Sequence, residues 1–443
     1  MKFVYSAIII LIFSTVLFAQ EQVVLTLEKA VELAFQNNLS VLQANNNVDA
    51  ASGSLLAAYG SYLPYINASG SWNRTDNQRV GLQFEGVNIP VISKSTTNYF
   101  QTSIGAGYTI FDGFQREANF SKASANMVGS EYNATRTKQS IRYQIESSYL
   151  NLLKQEQLVK VTEENLKRDQ RQLERITESN RIGALSLADV YRQQSQVAAD
   201  ELSVINSQNS FNQLKADLVS LIGIDMNKDY QFSDPAIAGM IGQLEFEATK
   251  EEYKNSDELV RRALDSRVDY LSAKENYNAA TASVTAAWGQ YLPSISASAR
   301  YSLSNEKYEN LNDNRSMSWG INLSWDIFDR FLTNQAVQTA IVSTKNSETA
   351  VKQQERNISV EVQKALMNLE SAQKQVEVSQ KGLKSATEDR KIAEERYNLG
   401  AGTLLDLLTA NAGFVNASAN NINATYFYIT AKKNLDYVLG ENK

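Results

Sequence analysis

Apolar residues alternate with small polar residues in four segments of this chain. The apolar members are Ile66, Ala68, Gly70 and Trp72; Phe100, Ile104, Ala106, Tyr108 and Ile110; Ile295, Ala297, Ala299, Tyr301 and Leu303; and Trp319, Ile321, Leu323, Trp325 and Ile327. Successive side chains of a strand point to opposite faces, so this period of two predicts strands with one apolar and one polar face. We predict one strand pair at 65–111 and a second at 294–328.

Two environments produce this pattern. A half-buried sheet in a soluble sandwich alternates in the same way, whereas aromatic residues near the strand ends, such as Trp72, Tyr99 and Trp325, favour strands that face lipid. Four strands are too few to close a barrel, and hydrocarbon does not tolerate open strand edges. If these strands lie in a membrane, several chains must share one barrel.

Two long stretches, 114–179 and 331–396, contain no proline and predict helices of about 100 Å each. An apolar residue recurs every seventh position in both, a period that predicts supercoiled helix packing. The stripe consists of Ile145, Leu152, Val159, Leu166 and Leu173, and of Val362, Leu369, Val376 and Leu383 before Arg390 interrupts it. The stripe alone does not distinguish a stalk from a tube.

The chain repeats its own sequence. "AAYGSYLP" from Ala57 returns as "AAWGQYLP" from Ala286, and "TIFDGF" from Thr109 returns as "DIFDRF" from Asp326. "IGALSLADV" from Ile182 likewise returns as "LGAGTLLDL" from Leu399. We therefore predict two tandem structural repeats, at 21–222 and 257–443, joined by an aperiodic linker at 223–256. Pro64 and Pro293, which follow the repeated Tyr-Leu, are predicted helix-to-strand hinges.

Composition narrows the function. Residues 1–20 combine Lys2, an apolar run and a small residue before Gln20, as a signal peptide does, so we expect export from the cytoplasm. An uncleaved membrane anchor is the alternative, although the apolar run is short for a membrane span. The chain has no histidine and no cysteine, which removes the usual zinc, copper and haem ligands and any histidine-based triad. A formal net charge of −6 does not suggest a nucleic-acid partner. We expect no cofactor and no enzyme activity, with a carboxylate-dependent periplasmic hydrolase as a distant alternative.

Taken together in this order and twice over, these motifs resemble the TolC-like outer-membrane efflux factor family. The resemblance also rests on Arg267-Val268-Asp269 and covers essentially the whole mature chain. It implies a trimer that is mainly α with membrane β: each chain gives four strands to a shared β-barrel and its helices to a long coiled-coil α-barrel in the periplasm. Such proteins are passive exit ducts of tripartite efflux pumps or type I secretion systems. The implied partners are outer-membrane lipid, a periplasmic adaptor (membrane fusion) protein and an inner-membrane RND or ABC transporter.

The resemblance places the turns at Gly183 and Gly400 at the periplasmic tip. Asp189 and Asp406 follow these turns in the first turn of the next helix, where Ser186 or Thr403 can cap it. Three roles are open for the two aspartates: helix capping, an acidic ring that selects cations, and adaptor docking. In the family a tyrosine and carboxylates bonded to a basic residue hold the tip shut. Tyr397 and Asp406 match this latch, but Gly402 and Thr409 depart from it, so the latch is not carried over intact. Asp189 and Arg192 are candidates for a different constraint.

A second hypothesis from another class is an exported structural or adhesin-like protein with a coiled-coil stalk. It accounts for the signal peptide and the seven-residue stripe. It does not account for strand pairs between helices or for the duplication. The sequence does not identify an exported substrate, because a passive duct leaves the choice of substrate to its partners.

Overall fold

The computed structural model describes residues 23–79, 83–84, 87–88, 93–235, 253 and 255–442. The predicted signal peptide at 1–20 lies outside them, as does most of the predicted linker. The strands are β1 (Val23–Leu25), β2 (Tyr65–Arg79), β3 (Gln83–Phe84), β4 (Val87–Asn88), β5 (Ser93–Phe111), β6 (Tyr230–Phe232), β7 (Ser294–Asn305) and β8 (Arg315–Ser324). The helices are α1 (Leu27–Asn37), α2 (Leu39–Gly60), α3 (Gln115–Arg181), α4 (Leu187–Ile222), α5 (Ser256–Ser266), α6 (Val268–Gly289), α7 (Leu332–Asn398) and α8 (Leu404–Leu439).

The helices occur in pairs of equal length along the sequence. α3 and α7 each have 67 residues, and α4 and α8 each have 36. The compact units of the fold do not follow the predicted repeats, however. One unit comprises residues up to 42, 137–266 and 360 onward, and the other comprises 43–136 and 267–359, so each unit draws on both repeats.

The second unit contains a four-stranded antiparallel sheet in the order β2-β5-β7-β8. Ile104 pairs with Ala68 on one side and Tyr301 on the other, and Tyr301 in turn pairs with Met317. Because paired residues share a face, the register collects the apolar residues of all four strands on one side. The opposite side carries small polar residues, and there the hydroxyls of Ser69 and Ser103 lie 2.9 Å apart.

The last strand is shorter than the sequence predicted. Alternation continues to Ile327, but β8 ends at Ser324. Ser324 pairs with Ser294, the first residue of β7, and the preceding Pro293 has no N–H with which to extend the ladder. Trp325 instead donates its indole N–H to the carbonyl oxygen of Tyr291 at 3.1 Å, which closes the sheet end.

Part of the predicted linker forms a strand in the first unit. β6 pairs in parallel with β1, with Val23 opposite Tyr230 and Leu25 opposite Phe232. The Tyr149 hydroxyl donates to the Leu25 carbonyl oxygen at 2.7 Å, and the Tyr149 ring meets Phe232 edge-on. A three-residue strand gives too short a pattern to be read from sequence periodicity, which is why it was not predicted.

The seven-residue stripe is buried at its beginning in both long helices and is half-buried farther along, at Leu166, Leu173 and Leu383. Ile145 and Leu152 of α3, and Val362 and Val376 of α7, have no exposed surface. Farther along α3, towards the turn at Gly183, polar residues take over buried positions. These are Asn165, Asp169 and Gln172. Among the described helices, none has an apolar stretch long enough for a membrane crossing.

Candidate functional site

The first predicted tip turn connects α3 to α4. Gly183 adopts φ +80°, a left-handed conformation that suits glycine, and Ala184 donates to the Ser179 carbonyl at 2.8 Å. Ser186 caps α4 by accepting the Asp189 backbone N–H at 3.2 Å. The Asp189 carboxylate also accepts from the Ser186 hydroxyl at 2.8 Å and from Arg192 at 3.2 Å. Asp189 and Arg192 are therefore in contact within one turn of α4.

The second turn connects α7 to α8 and is built in the same way. Gly400 adopts φ +72°, and Thr403 caps α8 by accepting the Asp406 N–H at 3.1 Å. Asp406 accepts the Thr403 N–H in return, also at 3.1 Å, which completes a capping box. These hydrogen bonds from Thr403 lower the pKa of Asp406, so this exposed carboxylate is ionised at neutral pH.

Tyr397 links the two turns. Its ring packs against an apolar cluster of Ile176, Val190 and Leu404, one residue from each of α3, α4 and α8. Burial, followed by the nearby Asp189 carboxylate, raises the pKa of Tyr397. Tyr397 of the second repeat is thus close enough to Asp189 of the first repeat to feel its charge, whereas Asp406 hydrogen-bonds Thr403 at the start of α8.

Pro64 and Pro293 each lie between a helix and a strand. α2 ends at Gly60 and β2 starts at Tyr65, while α6 ends at Gly289 and β7 starts at Ser294. Proline suits this step because it lacks the N–H that a continuing helix needs and disfavours helical backbone in the residue before it. Gly289 also approaches Gly113, at φ +70°, so closely that a side chain on either glycine would overlap the other backbone.

A buried polar group between α3 and α4 was missed by the sequence reasoning. Asp169 and Gln193 are 1% and 0% exposed, and Asp200 is 7% exposed. The signal that could have revealed this group is the repeat, because the corresponding positions in the second copy are all alanine: Ala386, Ala410 and Ala417. Within the described residues, no group of three or more acidic side chains is placed to hold a metal ion.

The structure also accounts for the residue that interrupts the stripe of α7. The guanidinium of Arg390 lies 4.0 Å from the ring centre of Phe414 on α8, and that of Arg168 on α3 lies 5.6 Å from the same ring. Such cation–π contacts keep a charged group inside a helix bundle. Arg390 therefore replaces an apolar stripe residue without leaving the bundle.

Comparisons with known proteins point to one family. The family described as "Outer membrane efflux protein" matches residues 30–224 and 259–441. Among curated proteins, the outer membrane protein TolC of Vibrio cholerae serotype O1 is 22% identical over 424 residues, covering 92% of this chain and 89% of its own. The outer membrane efflux protein BepC of Brucella suis biovar 1 is 22% identical over 423 residues, covering 95% and 87%.

Solved structures share the fold. The CmeC outer membrane channel of Campylobacter jejuni superposes with a TM-score of 0.79 at 19% identity, over 94% of this chain and 86% of CmeC. The outer membrane protein VceC of Vibrio cholerae superposes with a TM-score of 0.75 at 16% identity, over 94% and 96%. At these identities the likeness concerns the fold.

Proposed function

Since the chain belongs to the outer membrane efflux protein family and is an outer-membrane efflux channel with its helical part in the periplasm, we propose how it assembles. Three copies share one β-barrel, to which each contributes β2, β5, β7 and β8. The long helices of the three chains together form the wall of one periplasmic α-barrel. The assembly is a passive exit duct, to which a periplasmic adaptor connects an inner-membrane transporter of the RND or ABC class.

The observation that carries this proposal is the two-faced sheet with two edge strands. On its apolar face, Ile66, Trp319 and Ile321 are 75%, 80% and 72% exposed in the single chain. A single chain in water would leave this surface uncovered, and lipid would cover it. β2 and β8 stand at the ends of the sheet, where their outer backbone groups need partners in a membrane. Neighbouring copies supply those partners.

Exposed apolar residues on the long helices support the same assembly. Met367 and Val378 on α7 are 61% and 69% exposed, and Leu202 and Ile205 on α4 are 59% and 63% exposed. Packing between copies would bury such residues, as supercoiled helices bury their seams. The stalk hypothesis also accommodates exposed helix residues, but it gives no reason for a sheet with one apolar face.

We assign the tip turns two further roles in this assembly. Three copies of Asp406 around a narrow axis would form an acidic ring that attracts cations and repels anions. The turns at Gly183 and Gly400 are exposed and are available for adaptor docking. The packing of Tyr397 against Ile176, Val190 and Leu404 would hold the two turns of one chain together.

The duplication specifies how neighbouring copies would pair. β8 corresponds to β5 by the shared Ile-Phe-Asp motif, and β2 corresponds to β7 by the shared Tyr-Leu-Pro motif. β5 pairs with β7 inside the chain, with Gly105 opposite Arg300. Transferring this register to the open edges places Asn322 of one copy opposite Ser71 of its neighbour. The apolar face remains continuous, because Ile321 is then opposite Trp72.

A cross-link tests this register. The natural chain has no cysteine, so Asn322→Cys combined with Ser71→Cys introduces the complete set of thiols. We expect mild oxidation in outer membranes to join copies into covalent dimers and trimers on denaturing gels. The matched control is Asn322→Cys with Asn67→Cys, which uses the same polar face at a position about 13 Å farther along the strand.

The outcomes are distinct. Cross-linking of the Ser71 pair but not the Asn67 pair supports the shared barrel in this register. Equal cross-linking of both pairs would reject the register, and intact single chains in both would reject the shared barrel.

A further inference from the structure

The buried polar group between α3 and α4 contains two carboxyl groups that lie within hydrogen-bonding reach of each other, those of Asp169 and Asp200. Gln193 donates its side-chain N–H to the Asp169 backbone carbonyl at 3.1 Å, and Gln196 donates to one Asp200 oxygen at 3.1 Å. Oδ1 of Asp169 and Oδ2 of Asp200 are buried and receive no donor from the rest of the described chain.

If both carboxyl groups were ionised, each would keep one buried oxygen without a donor, and two like charges would lie close together in a site of low dielectric. Buried unpaired acceptors and like charges are each costly, and one shared proton relieves both costs. The protonated carboxyl donates its O–H to an oxygen of the ionised one, as in carboxylate dyads generally. We propose that Asp169 and Asp200 share one proton and form a proton-sensitive joint that holds α3 to α4.

The surroundings of the joint leave the pair without a full counter-charge. Arg168 stays a guanidinium and weakly favours the ionised form of Asp169, but it also faces the positive charge of Arg390. Asp169 borders an open cavity of about 400 Å³, through which water can deliver or remove a proton. The other charged groups that face this region are Glu164, Arg171, Glu174 and Arg175 on α3 and Glu394 on α7, and α8 contributes the uncharged Leu407 and Asn411.

The direction of the pH response follows from the raised pKa of Asp169. Burial, followed by the hydrogen bond and charge of Asp200, raises the pKa of Asp169 to about 7. Separated helices would expose a carboxyl group that ionises near pH 4. The joined state therefore holds a proton that the separated state releases between about pH 4 and pH 7. The joint is strongest in acid, weakens as the pH rises through this window, and stays weak above it.

The second copy shows that a helix pair of this kind packs without carboxyl groups. Ala386, Ala410 and Ala417 occupy the corresponding positions in α7 and α8, so that pair lacks the proposed proton site. This gives an internal control within the same molecule. Both helices of the joint belong to one chain, so the joint does not depend on the proposed trimer.

Hydrogen exchange followed by mass spectrometry tests the joint in the full chain in detergent. We compare residues 164–204 with the matched window 381–421 at about pH 5.5 and about pH 8, after correction for the intrinsic pH dependence of exchange. Because the pKa of Asp169 is raised to about 7, residues 164–204 should lose protection about thirtyfold at the higher pH, while 381–421 should not change. An equal response in both windows would overturn the proposal.

Two variants sharpen the test. Asp169→Asn with Asp200→Asn keeps the shape but removes the titration, and Asp169→Ala with Gln193→Ala and Asp200→Ala copies the residues of the second helix pair. Both should remove the pH response of residues 164–204. A response that persists in the asparagine variant rejects the carboxyl pair as its source. EDTA added to the wild-type protein at about pH 8 is a further control. If it lowers the protection of residues 164–204, a cation bridges the two carboxylates, and the shared proton is rejected.

Discussion

At the scale of single residues, Asp406 combines a structural role with a charge. It accepts the Thr403 N–H and so stabilises the start of α8, and it remains exposed and ionised at the proposed tip. The same side chain therefore fits helix capping and an acidic ring. The two roles can be separated because the cap also needs the Thr403 hydroxyl, whereas a ring needs only the charge.

We predict different results for Asp406→Lys and Thr403→Ala. The alanine variant should cost about 1 kcal/mol of stability through the lost cap but should keep cation selectivity in planar-bilayer recordings. The lysine variant should shift selectivity towards anions while the pump still assembles. Lost assembly in the lysine variant with unchanged selectivity would assign Asp406 to adaptor docking, and identical behaviour of the two variants would leave capping as its role.

At the scale of elements, the junction between helix and strand depends on backbone contact. Gly113 follows β5 with φ +70°, and a side chain there would overlap the backbone of Gly289 at the end of α6. Asp112 beside it accepts from Arg116 at 3.1 Å, which fixes the first turn of α3. The sheet and two helices of the second unit therefore meet where no side chain can intervene.

We predict that Gly113→Ala destabilises the protein by at least about 1–2 kcal/mol, because alanine resists the left-handed backbone and also meets Gly289. Gly53→Ala is the matched control, since Gly53 lies exposed in α2 with open space around it. That variant should be neutral or more stable by about 0.5–1 kcal/mol. Thermal unfolding in detergent measures both, and equal effects would contradict the proposed backbone contact.

The sequence was informative where patterns were long and uninformative where contacts were distant. Alternation predicted the strands that became β2, β5, β7 and β8, and proline-free stretches predicted α3 and α7. Parallel pairing of β1 with β6 depends on residues about two hundred positions apart, and three residues carry no period. The Asp169–Asp200 contact was missed for a related reason, since two acidic residues on separate helices resemble ordinary surface charges until packing buries them.

At the scale of the whole molecule, the open sheet sets the main requirement. Its apolar face needs lipid, and its two edge strands need partners, which one chain of four strands cannot provide for itself. A shared barrel meets both needs at once. In the proposed barrel, the strand contact between chains is the counterpart of the β5–β7 contact already present inside each chain.

The native mass of the mature protein, extracted from outer membranes in detergent and measured by native mass spectrometry, tests this account most directly. We predict three chains per particle, stable on dilution. A particle with a single chain that remains folded in detergent would contradict the account, because four strands with two open edges cannot seal themselves from lipid.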